Sequence, residues 1–318
     1  MPELPEVETV KRGLNKLIIG RKIVDVHSDN PKSFPNAPGD VRQFLIGAKV
    51  TDVRRRAKVL MIDLSTYYTL VIHLKMTGQL VFVNKNIEDG EWNMEYGKSL
   101  NSNSQIPIAK TDEVRFAGGH PTDSLIGKLP DKSTRVTFDF DDGSHLYFND
   151  QRKFGWVRLM PTAEVPNIDF MKRVGPEPLE SDFTSKQFTQ RFKRRARTTI
   201  KAAILDQSVI AGVGNIYADE SLWGAKIHPA TKVGDLPYSK FQLLYSELRY
   251  VMNLSIEKGG STNRNYVNAE GKKGSYMEFA RVFRREGLAC PRCGTEIIKI
   301  RVAGRGTHIC PSCQRVDR

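Results

Sequence analysis

Apolar residues recur at Leu4, Val7, Val10, Leu14 and Leu17, the spacing of one helix face. Pro5 suits a first-turn position, where a missing N–H costs nothing. This predicts a helix from about residue 5 to residue 17. Beyond it the pattern shortens. Runs rich in Val, Ile and Leu at 22–28, 58–64, 69–74 and 79–83 read as strands. Runs 134–140 and 144–149 flank Asp141-Asp142-Gly143, a hairpin signal, and 154–160 is one more strand. After residue 183 the period changes. Segments 184–193, 198–206, 215–224 and 238–258 read as helices, and Gly-rich 259–274 as a loop.

Many short strands followed by helices predict an α+β multidomain chain. An N-terminal helix-bearing β-sandwich domain takes residues 1–160. A linker follows at 161–183, turn-forming around Gly175-Pro176-Glu177-Pro178-Leu179. A helical domain takes 184–283 and a small module 284–318. One segment breaks the sandwich pattern. Residues 84–128 are polar and Asn/Ser-rich with little periodicity, and read as a passive surface insertion. On that reading, 86–126 can be replaced by a short linker without loss.

Charge adds a partner. With 49 Lys+Arg against 36 Asp+Glu, the net charge of +13 favours a polyanion, though a ribosomal or membrane-surface role gives the same sign. No apolar run has transmembrane length and no signal peptide is evident, so a soluble intracellular protein is expected. The four cysteines all follow residue 289, too few and too clustered for a disulfide framework. Cys290-Pro-Arg-Cys293 and Cys310-Pro-Ser-Cys313 are two CxxC knuckles that fit one tetrahedral zinc ion. Four thiolates leave no open position, so the metal is read as structural. Between the knuckles, 301–308 reads as a β-hairpin with Arg305 near its tip.

Further candidates for chemistry gather at turns and termini. If Met1 is removed, Pro2 presents a secondary amine at the positive end of a helix, which favours the neutral, nucleophilic form. Its attack on an aldehyde or a sugar C1′ gives a permanently charged iminium, and Glu3 and Glu6 lie beside it to move protons. Taken alone, these residues are also an ordinary start followed by a capped helix. Gly212 and Gly214 bracket Val213, and Asn215 opens the next helix, so backbone N–H groups there suit a phosphate. Arg194, Arg195, Arg197 and Lys201 are close enough in sequence to form a basic surface. Arg54-Arg55-Arg56 reads as a solvated face, whereas Lys58 heads a strand and can point into a site. His73–Gly78 and Asp150–Gly155 are strand-flanking turns that carry Met76, Arg152 and Phe154, an apolar wedge and an arginine of the kind base extrusion needs.

Five of these segments, in order, resemble formamidopyrimidine-DNA glycosylases: MPELPEVET, HLKMTG, DQRKFG, the Gly-containing turn before Asn215, and GRGTHICPSCQ. The resemblance implies a helix-two-turn-helix domain and a four-cysteine zinc finger, and excision of oxidised purines with AP lyase β,δ-elimination. It implies catalysis by Pro2, Glu3 and Lys58 with Glu6 in support, and DNA contacts from His73, Met76, Arg152, Phe154, Arg197, Lys201, Asn215 and Arg305. It also implies a lesion-recognition loop at 261–276, one zinc ion, a damaged double-stranded DNA partner, and a monomer acting at the nucleoid of a bacterial cytoplasm. The competing readings are an endonuclease-eight-type enzyme for oxidised pyrimidines and a non-catalytic nucleic-acid-binding protein. The alternative to a passive insertion at 84–128 folds that segment beside the cleft, where Lys110, Arg115, His120 and Lys128 meet DNA.

Overall fold

A computed structural model describes residues 2–84, 114–120, 124, 127–261 and 276–315. Helix α1 (Leu4–Ile18) starts at Glu3, whose N–H donates to Glu6 Oε2 at 2.8 Å, as a capping box requires. Its apolar stripe is buried, including Val7, Val10 and Leu14. The strands are β1 (Ile23–Ser28), β2 (Val50–Arg56), β3 (Val59–Leu64), β4 (Tyr68–His73), β5 (Gly78–Asn84), β6 (Val114–Gly119), β7 (Thr134–Phe140), β8 (His145–Asp150) and β9 (Trp156–Pro161). One sheet runs β1-β7-β8-β5-β6 and the other β2-β3-β4-β9, all neighbours antiparallel. Their inner faces share one core with α1, which packs against one edge strand of each sheet, β2 and β6. A short turn, α2 (Pro38–Asp40), precedes β2.

Two strands depart from the sequence reading. β2 was not expected, because its buried residues Val50 and Val53 are three apart rather than alternate. A register shift between Val50 and Asp52 explains the spacing. β6 lies inside the segment read as an insertion, so the passive-excursion reading fails for 114–119. It is paired along β5 from Gln79↔Gly119 to Asn84↔Val114. Phe116 is buried against α1 so closely that a Cβ on Gly13 would overlap its ring. The rest of that segment, 85–113, 121–123 and 125–126, lies outside the described residues.

The linker is docked. A 3-10 turn (Thr162–Asn167) and α3 (Asp169–Arg173) lead into Gly175–Leu179. Glu177, 3% exposed, accepts from Ala57 N–H at 2.5 Å and Arg55 Nη1 at 2.8 Å. Arg55 also pairs with Glu8 at 2.9 Å, and Arg56 donates to Gly175 O at 2.7 Å. Arg55 and Arg56 are therefore a clasp between sheet and linker, and Arg54 pairs with Asp63 on β3, contrary to the solvated-face reading.

The second domain holds α4 (Ser185–Lys193), α5 (Ile200–Leu205), α6 (Asn215–Gly224), α7 (Tyr238–Glu257) and α8 (Tyr276–Phe279). Thr184 and Gln187 form a capping box on α4, and Thr199 caps α5 through Ala202 N–H. Phe188, Phe192, Tyr217 and Phe241 fill its core together with Leu4 from α1. The last module is the hairpin β10 (Ile298–Val302) and β11 (Arg305–Ile309), joined through Ala303 and Gly304 at φ +51° and +71°. The module packs on α6, where Arg292 Cζ stands 3.8 Å over the Trp223 ring.

Candidate active site

The first turn of α1 meets the α5–α6 turn. Leu4 N–H donates to Gly212 O at 3.0 Å, and Gly212 holds φ +80°, a conformation that suits glycine. Glu3 Oε2 accepts from Gly214 N–H at 2.7 Å and Oε1 from Ile216 N–H at 3.0 Å, so the carboxylate caps α6. Gln207 braces the turn, donating to Val213 O at 2.8 Å and accepting from Gly212 N–H at 2.9 Å. Lys58 Nζ reaches the same Val213 carbonyl at 2.9 Å. Glu6 Oε1 accepts from Tyr217 OH at 2.6 Å and Ser261 N–H at 2.9 Å. Gln207, Gly214 and Tyr217 were not singled out for these roles. Tyr217 had a faint signal, two residues into a helix already suspected.

Burial dominates the electrostatics. It pushes Glu3 up to about 7, against the Lys58 ammonium and the two N–H donors, with Glu6 adding to the rise. Lys58 is drawn down by its own burial, while Glu3 and Glu6 hold it up. Glu3 can therefore carry or release a proton near neutral pH.

Pro2, Glu3, Lys58, Met76, Asn215 and Arg305 line one open cavity of 380 Å³, with His120 and Arg284 on its wall. Two turns stand beside it. Asp150 Oδ2 accepts from Gly155 N–H at 2.6 Å, and Oδ1 accepts from Thr77 Oγ1 and, at 3.2 Å, from Arg152 N–H. One buried carboxylate thus ties the turn of Met76 to that of Arg152 and Phe154. Met76 is 38% exposed and Phe154 55%, with Arg152 Cζ 4.8 Å over the Phe154 ring. Exposed apolar side chains on braced turns suit insertion between bases.

Two basic candidates differ from expectation. Lys201 is fully buried, 2.6 Å from Asp219 Oδ1 and 2.6 Å from Thr307 Oγ1, so it is no part of the basic surface expected with Arg197. Asp219 Oδ2 also takes His308 N–H at 2.9 Å, and Asn215 Nδ2 donates to Gly306 O at 3.0 Å. Lys201 therefore locks the Arg305 hairpin to α6. His73 is buried too. Burial lowers its pKa to about 3, and Nδ1 accepts from Lys75 N–H at 3.0 Å, which shapes the Met76 turn. Arg197 and Arg305 are exposed. Of the recognition loop expected at 261–276, residues 262–275 lie outside the described residues.

The sulfurs of Cys290, Cys293, Cys310 and Cys313 all lie within 4.8 Å of one another. Tetrahedral thiolates at about 2.3 Å from zinc stand about 3.8 Å apart, so the donor set fits one structural ion.

A buried carboxylate poised near neutrality, exposed apolar and arginine side chains on braced turns, and an arginine hairpin on a four-cysteine module gather at one cavity and the turns beside it, and suit an enzyme that acts on nucleic acid. The family models agree: the formamidopyrimidine-DNA glycosylase N-terminal domain matches residues 1–157, its H2TH domain 174–267, and the zinc finger found in FPG and IleRS 287–316. The formamidopyrimidine-DNA glycosylase of Desulforamulus reducens is 37% identical over 317 residues, covering 99% of both chains. That of Pediococcus pentosaceus is 38% identical, also covering 99% of each. Lactococcus lactis Fpg in complex with abasic-site DNA is 32% identical, with a TM-score of 0.79 and coverage of 99% of this chain and 100% of that one. The wild-type Lactococcus lactis protein with DNA containing N7-benzyl-Fapy-dG matches at a TM-score of 0.79 and 32% identity, with the same coverage. The chain belongs to the formamidopyrimidine-DNA glycosylase family.

Proposed function

We infer that Pro2, freed by removal of Met1, is the nucleophile of this base-excision DNA glycosylase and AP lyase, with Glu3 as the acid–base group on the sugar. The substrate class is oxidised purines, 8-oxoguanine and formamidopyrimidines, in damaged double-stranded DNA. The Pro2 nitrogen attacks C1′, the bond to the base breaks with its electron pair leaving on the base, and the proton shed by the amine neutralises that base. Glu3 gives its proton to the ring oxygen and the sugar opens to an iminium. Loss of the C2′ proton then expels the 3′ phosphate, and δ-elimination expels the 5′ phosphate. Lys58 restrains the Glu3 proton affinity, and Glu6 holds the Glu3 backbone in place. Met76, Arg152 and Phe154 fill the gap left by the extruded nucleotide. Arg197, Asn215 and Arg305 meet phosphates, and the zinc ion keeps the Arg305 hairpin folded. The protein works as a monomer at the nucleoid of a bacterial cytoplasm. No helix of the described residues is long and apolar enough to cross a membrane.

The observation that carries this reading is the Glu3 carboxylate, buried beside Pro2 and poised near neutrality. Borohydride trapping on an 8-oxoguanine:C duplex tests it. A covalent adduct that forms with the native chain and is lost in Pro2→Gly supports the assignment. An adduct that persists in Pro2→Gly removes Pro2 from its role. Faster trapping on an oxidised-pyrimidine duplex favours the endonuclease-eight-type reading.

A further inference from the structure

Elimination needs a second proton movement, removal of hydrogen from C2′, and Glu3 is committed to the sugar oxygen. The described titratable groups on the cavity wall narrow the choice. Glu6 already receives Glu3 N–H, Tyr217 OH and Ser261 N–H. Glu3 receives two N–H groups, and Lys58 donates to Val213 O. Arg284 and Arg305 are cations that accept no proton. His120 remains. Its imidazole has no hydrogen-bond partner among the described residues, and it faces the same cavity as Pro2 and Met76.

Its backbone is fixed there. His120 N–H donates to Gly78 O at 3.0 Å, and its carbonyl accepts from Gln79 Nε2. Gly119 holds φ +123°, and a Cβ there would overlap the Gly78 carbonyl. Strand β6 therefore holds this residue against Gly78, where the Met76 turn ends, and on the cavity wall.

We propose that His120 is a further catalytic residue of the lyase step, the base that takes the C2′ proton. The C2′–H bonding pair becomes the C2′=C3′ double bond, by way of the enamine. The C3′–O bond breaks, and its own bonding pair leaves with the 3′ phosphate. The ring is suited to accept. Burial lowers its pKa, with the terminal ammonium and Arg284 adding to the effect and Asp150 opposing it, which favours the neutral, proton-accepting ring. Glu3, Glu6, Lys58 and Arg305 face it from the other cavity walls.

The proposal rests on Pro2 as nucleophile, and one assay separates the two. Full-length protein is given a duplex with a preformed abasic site. Borohydride-trapped adduct and β-eliminated strand are both measured. In His120→Ala the ratio of cleaved strand to trapped adduct should fall about 100-fold, as expected for loss of a general base. Added imidazole should restore part of it, which a structural role would not allow. His120→Asn keeps a planar polar side chain and should show the same fall if the alanine variant folds poorly. An unchanged ratio with adduct present overturns His120 alone. So does a fall that imidazole leaves untouched. No adduct with the unaltered protein overturns the Pro2 reading, and this proposal with it.

Discussion

Replacing Gly214 by alanine isolates the Glu3 carboxylate from the fold. Gly214 has φ −131° and ψ −158°, extended backbone that alanine adopts without strain. The new Cβ would stand 2.5 Å from Glu3 Oε1 and 2.8 Å from Cγ, well inside contact distance. The overlap is with the end of a flexible side chain, so the carboxylate yields and the backbone stays. Glu3 then leaves Gly214 N–H and Ile216 N–H, and α6 loses its cap. A lost cap costs about 0.5–2 kcal/mol, a few degrees of melting temperature. A displaced general acid costs about 10²–10⁴ in rate, or about 2.7–5.4 kcal/mol of barrier. The assay is single-turnover release of 8-oxoguanine beside a thermal melt. Gly214→Ala should fold, bind DNA and excise at least about 100-fold more slowly. Combined with Glu3→Gln it should be no worse than Glu3→Gln alone, because both remove one function. Excision within about threefold of wild type, or additive losses, would refute the role given to Glu3.

Other outcomes follow from the same contacts. Lys201→Met strands Asp219, fully buried, and should cost about 3–5 kcal/mol in urea unfolding while leaving the salt slope of DNA binding unchanged; a shallower slope would put Lys201 on phosphate. Glu3 stands at about 7 in the folded protein against its usual 4.5, so between those pH values the unfolded chain is ionised and the folded one resists. Stability from this group is highest below 4.5 and falls by about 3 kcal/mol as pH rises through 7; Glu3→Gln should flatten that difference between pH 5 and pH 8, and an equal drop in both proteins counts against it. Cys293→Ser should release zinc and weaken DNA binding while the β-sandwich stays folded, read by metal analysis and a DNA-binding titration; a native protein without zinc would sink the four-cysteine assignment.

What the sequence disclosed was local, and what it hid was distant. The α1 stripe, the Asp141–Gly143 hairpin and both CxxC knuckles are patterns within a few residues, and each appears as read. Charged residues were harder, because their meaning depends on partners far along the chain. Lys201 finds Thr307 at 106 positions' separation, and Arg55 finds Glu177 at 122. Both looked like surface charge, and both are internal ties. β6 carries Gly118 and Gly119 and follows an Asn/Ser-rich stretch, so nothing nearby announced a strand. Its evidence is the β5 edge and the hollow at Gly13, neither of which a local pattern records.

The same distance governs the site. Glu3 accepts its two N–H groups from residues 211 and 213 positions away, so the carboxylate has its poised environment only when the two domains are docked. The first turn of α1 makes that docking hard to loosen. Leu4 belongs to the core of the helical domain, while Val7, Val10 and Leu14 on the same helix belong to the core of the sandwich. A helix that is one rigid element cannot shift its start without disturbing one core or the other. Pro2 extends from that start. Its position is therefore set by the packing of both cores, and a loosened interface should move the nucleophile and the acid together rather than one at a time.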